Sequence, residues 1–104
     1  MKPLTALDEM LGLTASRNLI DASEYSDWLL DLRNRITNYS MHVDYTEATD
    51  LIDEALVVAN ERSLIEAVEV MDLALDLRGP VASFQEKAHN ANYADSLVIG
   101  GISS

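Results

Sequence analysis

Cysteine is absent from this 104-residue chain, which excludes a disulfide, a thiolate zinc site and a thiol nucleophile. A chain without disulfides suits a reducing compartment, and Met1-Lys2-Pro3 is not followed by the apolar core of a secretory signal, so a cytoplasmic location is expected. Only four glycines and two prolines punctuate the chain, and no Asn-Gly or Asp-Gly pair marks a hairpin. The longest unbroken apolar run is residues 55–59. That is far short of the roughly 20 residues a membrane span needs. There is no glycine-rich phosphate loop.

Bases are scarce: seven Lys and Arg stand against eighteen Asp and Glu, for a net charge of −11 and a pI near 4.2. Charged residues make up an ordinary 24%, so the imbalance comes from missing bases and not from surplus acids. Phosphate backbones and anionic membranes would be repelled, and neither is expected as a direct partner. A hydrophobic share of 48% describes a folded domain with one core, not a disordered acidic tail.

What is present is helical periodicity. A first short helix is expected over residues 5–11, capped by Thr5, with Asp8 and Glu9 in its first turn and Gly12 as its stop. Thr14 would cap a second short piece reaching Ile20. The next helix starts near Ser23, where Tyr25, Trp28, Leu29, Leu32, Ile36, Tyr39 and Val43 form one apolar stripe, with Asp31 and Arg35 paired on the far side. A third helix is expected from Thr46 to Asn60, burying Ala48, Leu51, Ile52, Ala55, Leu56 and Ala59. A turn at residues 60–62 then leads to Ser63 and Glu66, which have capping-box spacing, and to a fourth helix over residues 64–77. One unbroken helix over residues 46–78 is the rival reading of this stretch. Arg78-Gly79-Pro80 should end the fourth helix. A last helix over residues 82–97 would carry Phe84, Ala88, Ala91, Ala94 and Val98, with residues 99–104 as a flexible tail. The expectation is an all-α, antiparallel bundle of four or five helices over residues 1–98, without a sheet. Leu19-Ile20-Asp21 recurs as Leu51-Ile52-Asp53, but the flanks do not match and the recurrence reads as chance.

Chemistry-bearing constellations are few. Glu86 and His89 have the Glu-x-x-His spacing of carboxylate-bridged metal bundles, but His42 has Tyr39 three residues before it, so the second copy is missing and no metal or other cofactor is expected. His42 and Asp44 alternate in a loop, and two histidines assemble no nucleophilic triad. Residues 38–40 match a glycosylation acceptor, which a chain outside the secretory route would not use. No enzyme activity is expected.

The strongest signal is one-sided charge. Residues 44–77 hold ten acids and one base, Arg62. Glu47, Asp50, Glu54 and Glu61 lie within about 60° of one another on the third helix, and Glu66, Glu69, Asp72 and Asp76 within about 120° on the fourth, at 100° per residue. Ordinary helix faces interleave both signs. Asp44-Tyr45-Thr46-Glu47-Ala48 resembles a pentapeptide at the start of a helix in colicin-type nuclease immunity proteins, which are small acidic four-helix inhibitors. The resemblance covers five residues and lacks the acidic, double-tyrosine binding segment of that family.

These features lead to the expectation of a non-enzymatic inhibitor, of the phage-encoded or immunity type, whose face of Glu47, Asp50, Glu54, Glu66, Glu69 and Asp72 occupies a basic, nucleic-acid-binding surface of a partner enzyme. Tyr45 is the candidate anchor. The alternative is an assembly protein that homo-oligomerises through its apolar fourth helix.

Overall fold

Pro3 opens the first helix, because its fixed φ suits a first helical turn and it has no N–H to satisfy. In a computed structural model, which describes residues 2–39 and 43–103 with side chains as far as residue 90, the elements are α1 (Pro3–Ala15), β1 (Leu19–Asp21), α2 (Ala22–Tyr39), α3 (Thr46–Asn60), β2 (Leu64–Glu66) and α4 (Ala67–Ser103). Ser40 and His42, and the side chains of Ala91, Tyr93, Ala94 and Val98, lie outside the described set. The protein is mostly helical, and α3 has the bounds that its pattern predicts.

Several local expectations are corrected. The N–H of Leu4 donates to the side-chain oxygen of Gln85 on α4 at 3.0 Å, so α1 is capped by tertiary contact and Thr5 lies inside it. Gly12 does not stop α1: it has no positive φ, and a Cβ there would meet nothing within 4 Å. Thr14 caps nothing; it is fully buried and donates to the carbonyl of Met10 at 2.7 Å.

The expected absence of a sheet is also corrected. β1 and β2 pair antiparallel, with Leu19 opposite Glu66, Ile20 opposite Ile65 and Asp21 opposite Leu64. Ile20 and Ile65 point into the core, while their neighbours point outward. Ser63 and Glu66 therefore form no capping box. The N–H of Ala22 donates to the carbonyl of Ser63 at 3.0 Å, and that of Ala67 to the carbonyl of Asn18 at 2.9 Å, so the residue before each strand caps the helix that follows its partner.

Gly79-Pro80 does not end a helix either; α4 passes through both. Pro80 removes one backbone bond, to the carbonyl of Asp76, and its ring would crowd a Cβ on the residue before it. Gly79 has no Cβ, and Leu77, Val81, Phe84 and Ala88 are all buried along the same side of α4. Packing outweighs the local breaker.

The ribbon exposes a duplication. Residues 17–33 and 62–78, offset by 45, are identical at ten of seventeen positions, including Arg17/Arg62, Leu19/Leu64, Ile20/Ile65, Glu24/Glu69, Asp27/Asp72 and Arg33/Arg78. The same offset relates buried Leu7 to Ile52, Leu32 to Leu77 and Ile36 to Val81. Each half is a helix–strand–helix. α1 packs on α4 and α2 on α3, so the halves interlock, and Ile20 and Ile65 sit where an approximate two-fold axis crosses the ribbon. At the far ends of α2's described span and of its counterpart in α4, the equivalent rings of Tyr39 and Phe84 meet edge-to-face, 6.1 Å between centroids. At this offset Leu19-Ile20-Asp21 answers to Leu64-Ile65-Glu66, so its 32-residue recurrence at residues 51–53 is no part of the repeat and remains chance.

Candidate protein-binding surface

Thr46 begins α3 because Asp44 accepts both its N–H (2.9 Å) and its hydroxyl (2.6 Å). Those hydrogen bonds hold the Asp44 carboxyl below its ordinary range. From that start, Glu47, Asp50, Glu54 and Glu61 are exposed along one side of α3, opposite buried Ala48, Ile52, Ala55 and Ala59. Glu66 is exposed on β2 and Asp72 on α4.

Two expected site residues have other duties. Glu69 is half-buried and ion-paired with Arg62. Tyr45 is half-buried with its ring edge-to-face on Phe84, 6.1 Å between centroids, so it packs against the core instead of standing free as an anchor.

The arginines follow the duplication. Arg17 holds Glu24 through both carboxylate oxygens at 2.8 Å, and Arg62 holds Glu69 in the other half. Arg33 on α2 bonds Asp53 on α3 at 2.9 Å, which raises the Arg33 pKa through the hydrogen bond and then the charge. Its equivalent, Arg78 on α4, bonds Asp8 on α1. Arg35 pairs with Asp31 at 2.8 Å, as its four-residue spacing predicts. All five arginines thus meet a carboxylate, whereas no ion pair among the described residues engages Glu47, Asp50, Glu54, Glu61, Glu66, Asp72 or Asp76.

Charge is where the halves diverge. Residues 1–43 contain six acids and four bases, a net of −2; the equivalent residues 46–88 contain ten and three, a net of −7. Glu47, Asp50 and Glu61 stand where the first half has Lys2, Thr5 and Ser16. Glu54, Glu66, Glu69 and Asp72 have acidic counterparts in Glu9, Asp21, Glu24 and Asp27. The fold is built once without the extra acids, so they are additions to the scaffold and not a requirement of it.

A second asymmetry lies beside this face. Glu54 and Glu69 share a cavity of about 230 Å³ with Tyr25, Leu51, Ala55, Val58, Ile65 and Leu73. In the first half the same location, lined by Ala6, Glu9, Met10, Leu13 and Trp28 among others, has only about 60 Å³. Met10 and Trp28 fill what Ala55 and Leu73 leave open. Burial, and then the nearby Glu69 charge, push the Tyr25 hydroxyl up to about 12. Periodicity alone does not single out the apolar lining: Tyr25, Leu51 and Ala55 sit on core stripes, and Val58, Ile65 and Leu73 in apolar runs beside them. The 45-residue repeat, with its Met10/Ala55 and Trp28/Leu73 exchanges, was the signal that would have found them.

The donor chemistry does not suit calcium. A helix–loop–helix calcium site closes a twelve-residue loop with a glutamate and takes side-chain oxygens from positions 1, 3 and 5. Counted back from Glu24 and Glu69, those positions are Leu13, Ala15 and Arg17, and Val58, Asn60 and Arg62. In both loops the position-5 arginine already occupies the glutamate. Glu86 and His89 are exposed on α4, and among the described residues no group of three or more His, Asp or Glu is placed to hold a metal. No described helix is long and apolar enough to cross a membrane.

No protein family, curated protein or solved structure matches this chain.

Proposed function

We propose that the protein is a non-enzymatic binding module, an acidic inhibitor of the phage-encoded or immunity type, whose α3 face occupies a basic, nucleic-acid-binding surface of a partner enzyme in the cytoplasm. In this reading the four helices form an antiparallel bundle of two interlocked halves that serves as a rigid support. The observation that carries it is the charge divergence: the same fold holds −2 in one half and −7 in the other. Like charges at helical spacing are slightly destabilising, so a stability argument alone favours the first half's composition. Glu47, Asp50 and Glu54, with Glu61, form the center of the face, and Glu66 and Asp72 extend it.

The test is capture from lysate at low salt, elution by a salt step, and affinity measurement with the identified protein. Glu47→Gln, Asp50→Asn and Glu54→Gln together should weaken binding, and the affinity should fall as salt shortens the Debye length from about 10 Å at 0.1 M. The first-half control, Glu9→Gln with Asp27→Asn, should have little effect. Equal loss in both variants, or in neither, would reject the α3 face.

The rival reading is self-assembly through α4, and it rests on Val68 and Leu75, which are 64% and 57% exposed. Sedimentation at high salt separates the two: a stable oligomer that forms without a basic partner favours the rival.

A further inference from the structure

We propose that the cavity between α3 and α4 is the anchor pocket of this surface, and that it receives an aromatic side chain flanked by basic residues on the protein partner. The proposal rests on the acidic-surface reading for the sign of the flanking charge, but its shape argument is independent. The first half shows what the location accommodates: Trp28 fills it, and the Arg17 guanidinium lies over the indole ring at 5.8 Å while bonded to Glu24. The second half keeps the equivalent arginine and glutamate, Arg62 paired with Glu69, and replaces the ring with Leu73 and the thioether of Met10 with Ala55. About 230 Å³ is open there, against about 60 Å³ in the twin. A ring entering from outside would take the position that Trp28 has in the first half, under the Arg62 guanidinium, against Leu51, Val58 and Leu73.

The rim sets the partner's charge. Glu54 is exposed at the cavity, no ion pair among the described residues engages it, and Glu47 and Asp50 continue its stripe toward the start of α3. Aromatic side chains buried in desolvated pockets are common hot spots of protein interfaces, and complementary charge around such a site steers association and partner choice. Tyr45, half-buried on Phe84, does not line this cavity, and in this proposal the partner brings the ring.

The full chain can be tested with an acetylated, amidated lysine–tryptophan–lysine peptide at low salt, following the methyl signals of Leu51, Ala55, Val58 and Leu73 by NMR. The tryptophan peptide should move these signals, and the lysine–alanine–lysine analogue should bind about tenfold or more weakly, given the apolar area a ring buries. Ala55→Met with Leu73→Trp, which installs the equivalents of Met10 and Trp28, should abolish the tryptophan advantage while unfolding stays cooperative. Leu73→Trp alone serves if the double variant does not fold. Equal binding of the two lysine peptides overturns the pocket, and if that binding is salt-sensitive and lost with the α3 charges, the acidic surface still stands. Undiminished tryptophan binding in the filled variant also overturns it. Equally tight binding of a glutamate-flanked tryptophan peptide overturns the basic flank, and the acidic-surface reading with it.

Discussion

Ile20 faces Ile65 across the middle of the two-strand ribbon, each 1% exposed, so one pair of side chains closes the core where the two halves of the chain meet. Their neighbours Leu19, Asp21, Leu64 and Glu66 all point outward, and the pair is the ribbon's whole contribution to the core. Ile20→Ala or Ile65→Ala should therefore cost about 2–5 kcal/mol. Arg78→Gln, which breaks the exposed pair with Asp8, should cost less than about 1 kcal/mol. Urea unfolding of the three variants checks the ranking. An arginine loss as large as an isoleucine loss would show that the interlock depends on charge.

Gly12 and Pro80 test the continuity of α1 and α4. Gly12→Ala should stabilise by about 0.5–1 kcal/mol, because the site is helical and open around the missing Cβ. Pro80→Ala should stabilise by about 1–3 kcal/mol, because α4 is continuous there and alanine restores the missing N–H. Destabilisation by Pro80→Ala would mean that the chain turns at this point.

Trp28 is half-buried under Arg17 and should emit to the blue, moving red on unfolding. Trp28→Leu reproduces Leu73 in the first half and should open a twin of the larger cavity, at about 1–3 kcal/mol. In that variant the lysine–tryptophan–lysine peptide should also perturb Ala6 and Leu13. No new perturbation there would mean that a leucine at this position does not by itself make a pocket.

Tyr25 predicts an alkaline limit. Its folded pKa of about 12 lies above the ordinary 10.0, so below pH 10 the phenol is neutral in both states and contributes no pH dependence. Between pH 10 and 12 the unfolded chain releases the proton and the folded chain keeps it, so stability falls as pH rises through that window. Tyr25→Phe should flatten the fall, seen by comparing denaturant midpoints at pH 9 and 11. The same slope in both proteins would place the ionisation elsewhere.

Helix α3 was legible to the residue because its apolar positions recur at helical spacing and its neighbours are polar. The acids of its outer face, Glu47, Asp50, Glu54 and Glu61, were legible too, as a stripe. What the residues could not reveal locally was capping by distant groups: Gln85 reaching Leu4, and the carbonyls of Asn18 and Ser63 reaching Ala67 and Ala22. A three-residue strand is too short to show a period, so Leu19–Asp21 and Leu64–Glu66 read as helix ends until each had the other as partner.

The sequence by itself determined the helical class, the buried stripes and the concentration of negative charge, because periodicity and composition act over neighbouring residues. The tertiary structure decided which acids are committed and which are free. Arg33 crosses from α2 to pair with Asp53, and Arg62 holds Glu69, whereas no ion pair among the described residues engages Glu47, Asp50 or Glu54. It also decided that Gly79-Pro80 continues a helix, since the apolar face of Leu77, Val81, Phe84 and Ala88 gains more by staying packed than one lost hydrogen bond removes. These outcomes depend on pairings between distant segments, and only the fold brings those segments together.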